Sequence, residues 1–143
     1  FMKEKERAVA RALERVYPQL GILVEPKDKY SPFDFECNQY IIEVKCRSKF
    51  YDPWFIEMIK YDSNMDLSEA KSKDFLFLTE VGGKAYVYNI TKMTKDKFPF
   101  DWIIKDLPNS TEFNKPNWSG KAIGYLPVNK SKKVKLWNPR TEA

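Results

Sequence analysis

Three residues able to do chemistry together stand in the stretch Ser31 to Arg47, SPFDFECNQYIIEVKCR: Asp34, Glu43 and Lys45. Asn38-Gln39 reads as a two-residue turn between strands 33–37 and 40–46. With that turn, Cys37 faces Tyr40, Glu36 faces Ile41, Phe35 faces Ile42 and Asp34 faces Glu43. Directly opposed residues share a sheet face, with Cβ atoms about 5 Å apart, and residues two apart on one strand share a face as well. Asp34, Glu43 and Lys45 should therefore converge on one side, while Phe33, Phe35, Ile42, Val44 and Cys46 collect on an apolar opposite side. Neighbouring carboxylates repel unless something positive lies between them. A hard cation such as Mg²⁺ accepts one or two carboxylates together with water and phosphate oxygens. Lys45 lies in reach of a metal-bound water or a scissile phosphate. Cation and ammonium together would lower the pKa of an attacking water and neutralise charge developing on phosphorus. The same residues on a solvent-facing hairpin would instead make a cross-strand salt-bridge cluster. The spacing (D/E)-x-K also occurs at Glu25-Pro26-Lys27 and Glu69-Ala70-Lys71, but only Glu43-Val44-Lys45 lies in an apolar strand with an aspartate opposite across a turn.

Pro32-x-Asp34, followed nine positions on by Glu43-Val44-Lys45 at the end of a β-hairpin, resembles the motif of the PD-(D/E)XK nucleases. Phe33 separates Pro32 from Asp34, and the proline is a variable position of that motif. The resemblance implies an α/β fold with a restriction-endonuclease-like αβββαβ core, a central mixed sheet flanked by helices. It covers about residues 3–90 of a single nuclease-like domain, 1–143, and leaves a basic C-terminal extension over about 91–143. It implies a Mg²⁺- or Mn²⁺-dependent endonuclease acting on DNA phosphodiesters, with Asp34, Glu43 and the Val44 carbonyl as metal ligands and Lys45 positioning the nucleophile. In relatives similar to Holliday-junction resolvases the first helix adds an acidic residue. Glu6 matches that place, with Glu14 as second choice; a helix N-terminal acid is also favoured by the macrodipole. A basic residue on the helix after the motif strand corresponds to Lys60, with Glu57 one turn earlier. Small chains of this kind are similar to phage and prophage nucleases, and enzymes of this size in the family commonly pair as homodimers.

The elements that would position these residues can be read along the chain. Residues 3–17 form an amphipathic helix with Val9, Leu13 and Val16 on one stripe, Ala12 beside them and Pro18 as its stop. Glu6 shares that stripe. GILVE at 21–25 is a short strand. Asp52-Pro53 starts a helix, with Asp as N-cap and Pro at the first helical position, running through WFIEMIKY over 53–61. A polar break at Asp62 to Asn64 precedes a second helical piece at 65–72. DFLFLTE at 74–80 and KAYVYNI at 84–90 form a hairpin around Gly82-Gly83. Beyond 91 five prolines punctuate the chain, and 121–128 is the clearest strand.

Composition bounds the function classes. The chain has 143 residues, 31% charged and 43% hydrophobic, with a net charge of +5. Histidine is absent, which removes Ser-His-Asp and Cys-His catalysis and any His-ligated metal. Two cysteines make neither a zinc site nor a disulfide framework, so a reducing cytoplasm is expected. Both read as small core residues: on one ladder Cys37 and Cys46 lie farther apart than the roughly 7 Å limit for a disulfide. No run approaches the roughly 20 apolar residues of a membrane helix, and no basic segment followed by an apolar one opens the chain as a secretory signal would. Charge is uneven. Phe113 to Thr141 holds seven basic residues (Lys115, Lys121, Lys130, Lys132, Lys133, Lys135 and Arg140) and no acidic one, leaving 18 basic against all 20 acidic residues elsewhere. Trp118, Tyr125 and Trp137 are interleaved with them, a composition suited to a phosphate backbone and unstacked bases, or to a solvated lysine-rich surface. Arg47, Lys60, Lys130, Lys132, Lys133 and Lys135 are thus the candidate nucleic-acid contacts. DNA is the expected partner, with RNA not excluded. A non-catalytic nucleic-acid-binding module and a protein-interaction domain are the competing classes.

Overall fold

A computed structural model describes residues 2–108 and 118–139 of the chain. Helix α1, Met2–Val16, lays Val9, Ala10, Ala12 and Leu13 against the sheet. Strands β1, Phe35–Glu36, and β2, Tyr40–Cys46, form the hairpin around Asn38-Gln39. The register is Phe35 opposite Ile42 and Glu36 opposite Ile41, the one that the turn dictates. After β2 the chain enters β3, Trp54–Glu57, then α2, Met58–Lys71, and returns as β4, Asp74–Val81, parallel to β2. A parallel return needs a crossover of a dozen or more residues, commonly helical, and β3 with α2 provides it. Strand β5, Lys84–Asn89, follows β4 through Gly82-Gly83, both at positive φ as a tight hairpin turn requires. The Glu80 carboxylate accepts the Gly83 N–H at 2.9 Å and closes that turn.

Helix α3, Ile90–Lys95, is N-capped by Asn89, whose side chain accepts the Lys92 N–H at 2.9 Å. Strands β6, Ile103–Pro108, β7, Trp118–Leu126, and β8, Lys132–Lys135, complete the chain. Two sheets result. The larger is mixed and runs β1-β2-β4-β5-β8; the smaller is antiparallel and runs β3-β7-β6. The protein is therefore α/β, with apolar cores on both faces of the mixed sheet. One core joins α1 to Phe35, Ile42, Val44, Cys46 and Leu78. The other joins Ile41, Phe75, Phe77, Tyr86 and Tyr88 to Trp54, Ile56 and Leu126 of the smaller sheet, with Tyr61 and Met65 of α2 packed against it.

Several local expectations give way. Asp52-Pro53 does not open a helix: Trp54–Glu57 alternates buried and half-buried residues and pairs with β7, from Trp54 opposite Leu126 to Glu57 opposite Ile123. Asp52 accepts the Val128 N–H at 3.1 Å instead of capping α2. The polar break at 62–64 is also absent. α2 runs unbroken from Met58 to Lys71, because Asn64 faces inward and finds polar partners there. Residues 21–25 contribute a single bridge, Val24 to Glu36, rather than a strand, with Ile22 and Val24 exposed. Phe33 precedes the paired part of β1 and packs into the second core, not beside Phe35 and Val44. Cys37 and Cys46 are buried free thiols in the α1 core.

Candidate active site

The hairpin register carries Asp34 just beyond the paired end of β1. Its backbone N–H donates to the Ile42 carbonyl at 2.8 Å, and its Oδ2 accepts the Val44 N–H at 2.7 Å. This fixes the carboxylate over the open side of β2. A strand residue directs its N–H and C=O to the same side, so the Val44 carbonyl looks out over the edge that Asp34 occupies. Glu43, next along β2, projects to the face covered by α2 and is only 2% exposed. A surface salt-bridge hairpin would leave it in solvent.

Burying a carboxylate disfavours its charged form. Glu43 is accordingly pushed up to about 7, first by desolvation, with Lys45 and Lys60 opposing the rise and Asp34 adding to it. Its polar contacts are long: Lys45 Nζ lies 3.4 Å from Oε2, and Asn64 Nδ2 donates to Oε1 at 3.4 Å. Asn64 Nδ2 also donates to the Pro32 carbonyl at 3.1 Å, tying α2 to the start of the motif. Asn64 is buried, and its Oδ1 has no hydrogen-bond partner among the described residues. Glu6, half-buried on α1, belongs to the same neighbourhood. Desolvation raises its carboxyl, the Asp34 charge adds to the rise, and Lys3 and Lys45 oppose it.

Asp34, Glu43, Lys45 and Glu6 thus share one electrostatic environment, with Lys60 half-buried at its rim. Glu14 is engaged elsewhere, accepting the Leu23 N–H and pairing with Arg11. Glu57 pairs with Lys121 at 3.4 Å, and Glu25 of the first (D/E)-x-K copy pairs with Arg7. Arg47 is exposed one residue past β2, its guanidinium 5.9 Å from the Phe55 ring. The basic run divides: Lys130 is exposed on the turn before β8, Lys132 lies over the Tyr17 ring at 4.8 Å on the α1 face, and Lys133 and Lys135 point to the other face. Lys115 and Arg140 lie outside the described residues.

Whether a divalent cation fits can be judged from the donors. Among the described residues no three His, Cys, Asp or Glu side chains form a ready-made metal-binding group. Mg²⁺ does not require one, since it keeps several waters and takes one or two carboxylates plus substrate oxygens. The Asp34 carboxylate, the buried Glu43 carboxylate with its long contacts and the Val44 carbonyl are the oxygen donors that could serve such an ion. Asn64 escaped sequence reasoning because it sits in a polar stretch; only the continuous helix turns it toward Glu43. No family model and no curated protein matches the chain. Among the described residues no helix is long and apolar enough to cross a membrane.

Proposed function

We propose that this chain is a divalent-metal-dependent nuclease of the PD-(D/E)XK kind that hydrolyses DNA phosphodiester bonds. One observation carries the reading: Glu43, beside Asp34 and Lys45 at the end of a central strand, is kept in a nearly dry environment that raises its pKa to about 7. Perturbed, desolvated carboxyls of this kind concentrate at functional sites. The mixed sheet supports the same reading, with the hairpin β1–β2 beside a parallel β4 reached through α2.

Asp34, Glu43 and the Val44 carbonyl would hold Mg²⁺ or Mn²⁺, which when bound supplies Lewis-acid stabilisation of the phosphate and a more acidic water. Lys45, anchored 3.4 Å from Glu43, directs its ammonium to the side where a phosphate would sit and stabilises charge developing there. Asn64 holds the Glu43 carboxylate in place against α2. Glu6, whose carboxyl feels the charges of both Asp34 and Lys45, would orient a water there. The Lys45–Glu43 ion pair at 3.4 Å, which gives Glu43 a counter-charge without any metal, favours a second reading, a nucleic-acid-binding module without catalysis.

The test is plasmid cleavage with Mg²⁺ or Mn²⁺, with EDTA, Glu43→Gln and Lys45→Ala as controls and an RNA substrate in parallel. Nicking or linearisation should vanish with EDTA and with Glu43→Gln, and fall about 10²–10³-fold with Lys45→Ala. Cleavage unchanged in Glu43→Gln would remove the site assignment. Salt-sensitive DNA binding without cleavage would establish the binding module instead.

A further inference from the structure

A cleft of about 410 Å³ opens at the carboxyl ends of β2 and β4, between the mixed sheet and the smaller one. It adjoins the candidate active site, because Thr79 on its wall is the register partner of Lys45. Its lining includes three cations, Arg47, Lys49 and Lys105, and several large aromatic residues, Tyr51, Trp54 and Tyr125 among them, but no carboxylate. Among the described residues none of the three cations is in an ion pair. Two of the cations lie near rings instead: Arg47 is 5.9 Å from the Phe55 centroid, and Lys105 is 5.9 Å from that of Tyr125 and 3.4 Å from its hydroxyl. Tyr51 meets Trp54 edge-on at 5.9 Å yet remains 55% exposed. The buried Trp54 indole N–H has no hydrogen-bond partner among the described residues.

Uncompensated cations repel one another, and exposed rings lose the benefit of burial, so the cleft is arranged for a ligand that is both anionic and flat. Its volume lies in the range of sites that enclose one small ligand, about 300–1,000 Å³. A base pair inside a duplex shows only its edges; an unpaired base offers its face. Stacking on aromatic rings combined with a cationic groove is how single strands are held without sequence preference.

We propose that this cleft takes one unpaired nucleotide of the substrate strand, its base against Tyr51 or Tyr125 and its phosphate held by Arg47 and Lys105. The preferred substrate is then single-stranded or carries an unpaired segment beside the cut. The proposal deepens the nuclease reading, taking from it the place of the scissile phosphate, but strand binding itself does not depend on catalysis.

The experiment measures fluorescence anisotropy of the intact protein with a labelled oligothymidine and with a blunt duplex, in EDTA so that nothing is cut. The oligothymidine should bind more tightly than the duplex. Tyr51→Ala should weaken it by roughly 5- to 100-fold, and Tyr51→Phe should restore it. Lys105→Ala, on an exposed site, should lower the salt dependence of oligothymidine binding by about 0.7 in log–log slope. Equal affinity for both nucleic acids, with no effect of Tyr51→Ala, overturns the proposal even if plasmid cleavage is found. Tighter oligothymidine binding that is lost in Tyr51→Ala upholds it even if no metal produces cleavage, which separates it from the nuclease reading. Displacement of the oligothymidine by an equal concentration of thymidine monophosphate would assign the cleft to a free nucleotide and overturn the strand proposal.

Discussion

Glu43 is costly to the fold. A carboxyl that ionises near 7 when folded and near 4.5 when unfolded destabilises the folded state by about 3 kcal/mol once both states are ionised. The sign follows from the raised pKa. Between those two values the folded protein keeps the proton that the unfolded chain has already lost. The stabilising contribution is therefore complete below about pH 4.5 and falls away as pH rises through about 7. Glu43→Gln removes that dependence. In EDTA, urea unfolding should show the variant and the parent nearly equal in the acid range. At about pH 8 the variant should be more stable by up to ~3 kcal/mol. A gap that does not widen with pH would mean the carboxyl is not buried as described. A group that weakens the fold, and whose contacts to Lys45 and Asn64 are both as long as 3.4 Å, is of the sort kept for function. Cys46 shows the same physics: burial, followed by the nearby Glu80 charge, pushes its thiol up to about 12. Thiolate is the reacting form, so Cys46 should resist alkylation in the native protein at neutral pH and react fully once unfolded, as mass spectrometry of the alkylated chain would show.

At the scale of elements, the mixed sheet depends on a few polar pins. Thr91 Oγ1 accepts the Phe75 N–H at 2.8 Å, where β4 begins, and meets Ser68 Oγ of α2 at 3.0 Å. Thr91→Val keeps the shape and leaves a buried N–H without its acceptor, so unfolding free energy should drop by about 1–3 kcal/mol. Because the hydrogen bonds of Thr91 among the described residues run to Ser68, Phe75 and Met65, none of them a candidate site residue, any cleavage activity measured below the melting transition should be unchanged. The β4–β5 turn is pinned by shape: a Cβ at Gly83, φ +86°, would stand 2.6 Å from both the Trp137 ring and its carbonyl oxygen. Gly83→Ala should therefore cost about 2 kcal/mol or more in thermal or urea unfolding, through strain and displacement of the chain after β8.

These two turns also show what was legible in the sequence. Asn38-Gln39 and Gly82-Gly83 specify register locally, and both hairpins form as their turn residues dictate. Asp52-Pro53 carries an equally local helix signal that loses to β7, a pairing partner about 70 residues away in the chain and invisible to any window. Asp34, Glu43 and Lys45 could be brought to one side by alternation alone. The burial of Glu43 could not, because α2 and the smaller sheet that cover its face come from later segments. The inward position of Asn64 likewise depends on the continuous α2 and on the strand it packs against.

Over the whole molecule, charge follows the sheet rather than the sequence. The basic C-terminal run reads as one cluster along the chain, but β8 is a strand, and a strand alternates its side chains between two faces. Val134 enters the α1 core, so Lys132 shares that face and lies over Tyr17, while Lys133 points to the opposite face. Strand register places Lys133 opposite Tyr86, Tyr86 opposite Thr79 and Thr79 opposite Lys45. These four residues form one row across four strands on the face that holds Glu43. Strands lie about 4.8 Å apart, so Lys133 stands roughly 15 Å from Lys45, close enough for one bound nucleic acid to meet both. Lys132 faces away from that path. Lys133→Ala should therefore weaken duplex binding similarly for all sequences and lower the salt slope by about one. Lys132→Ala should leave both unchanged in the same anisotropy titrations. Equal losses from the two substitutions would mean that the run acts as a diffuse charge and that the row has no part in guiding the strand to Asp34 and Glu43.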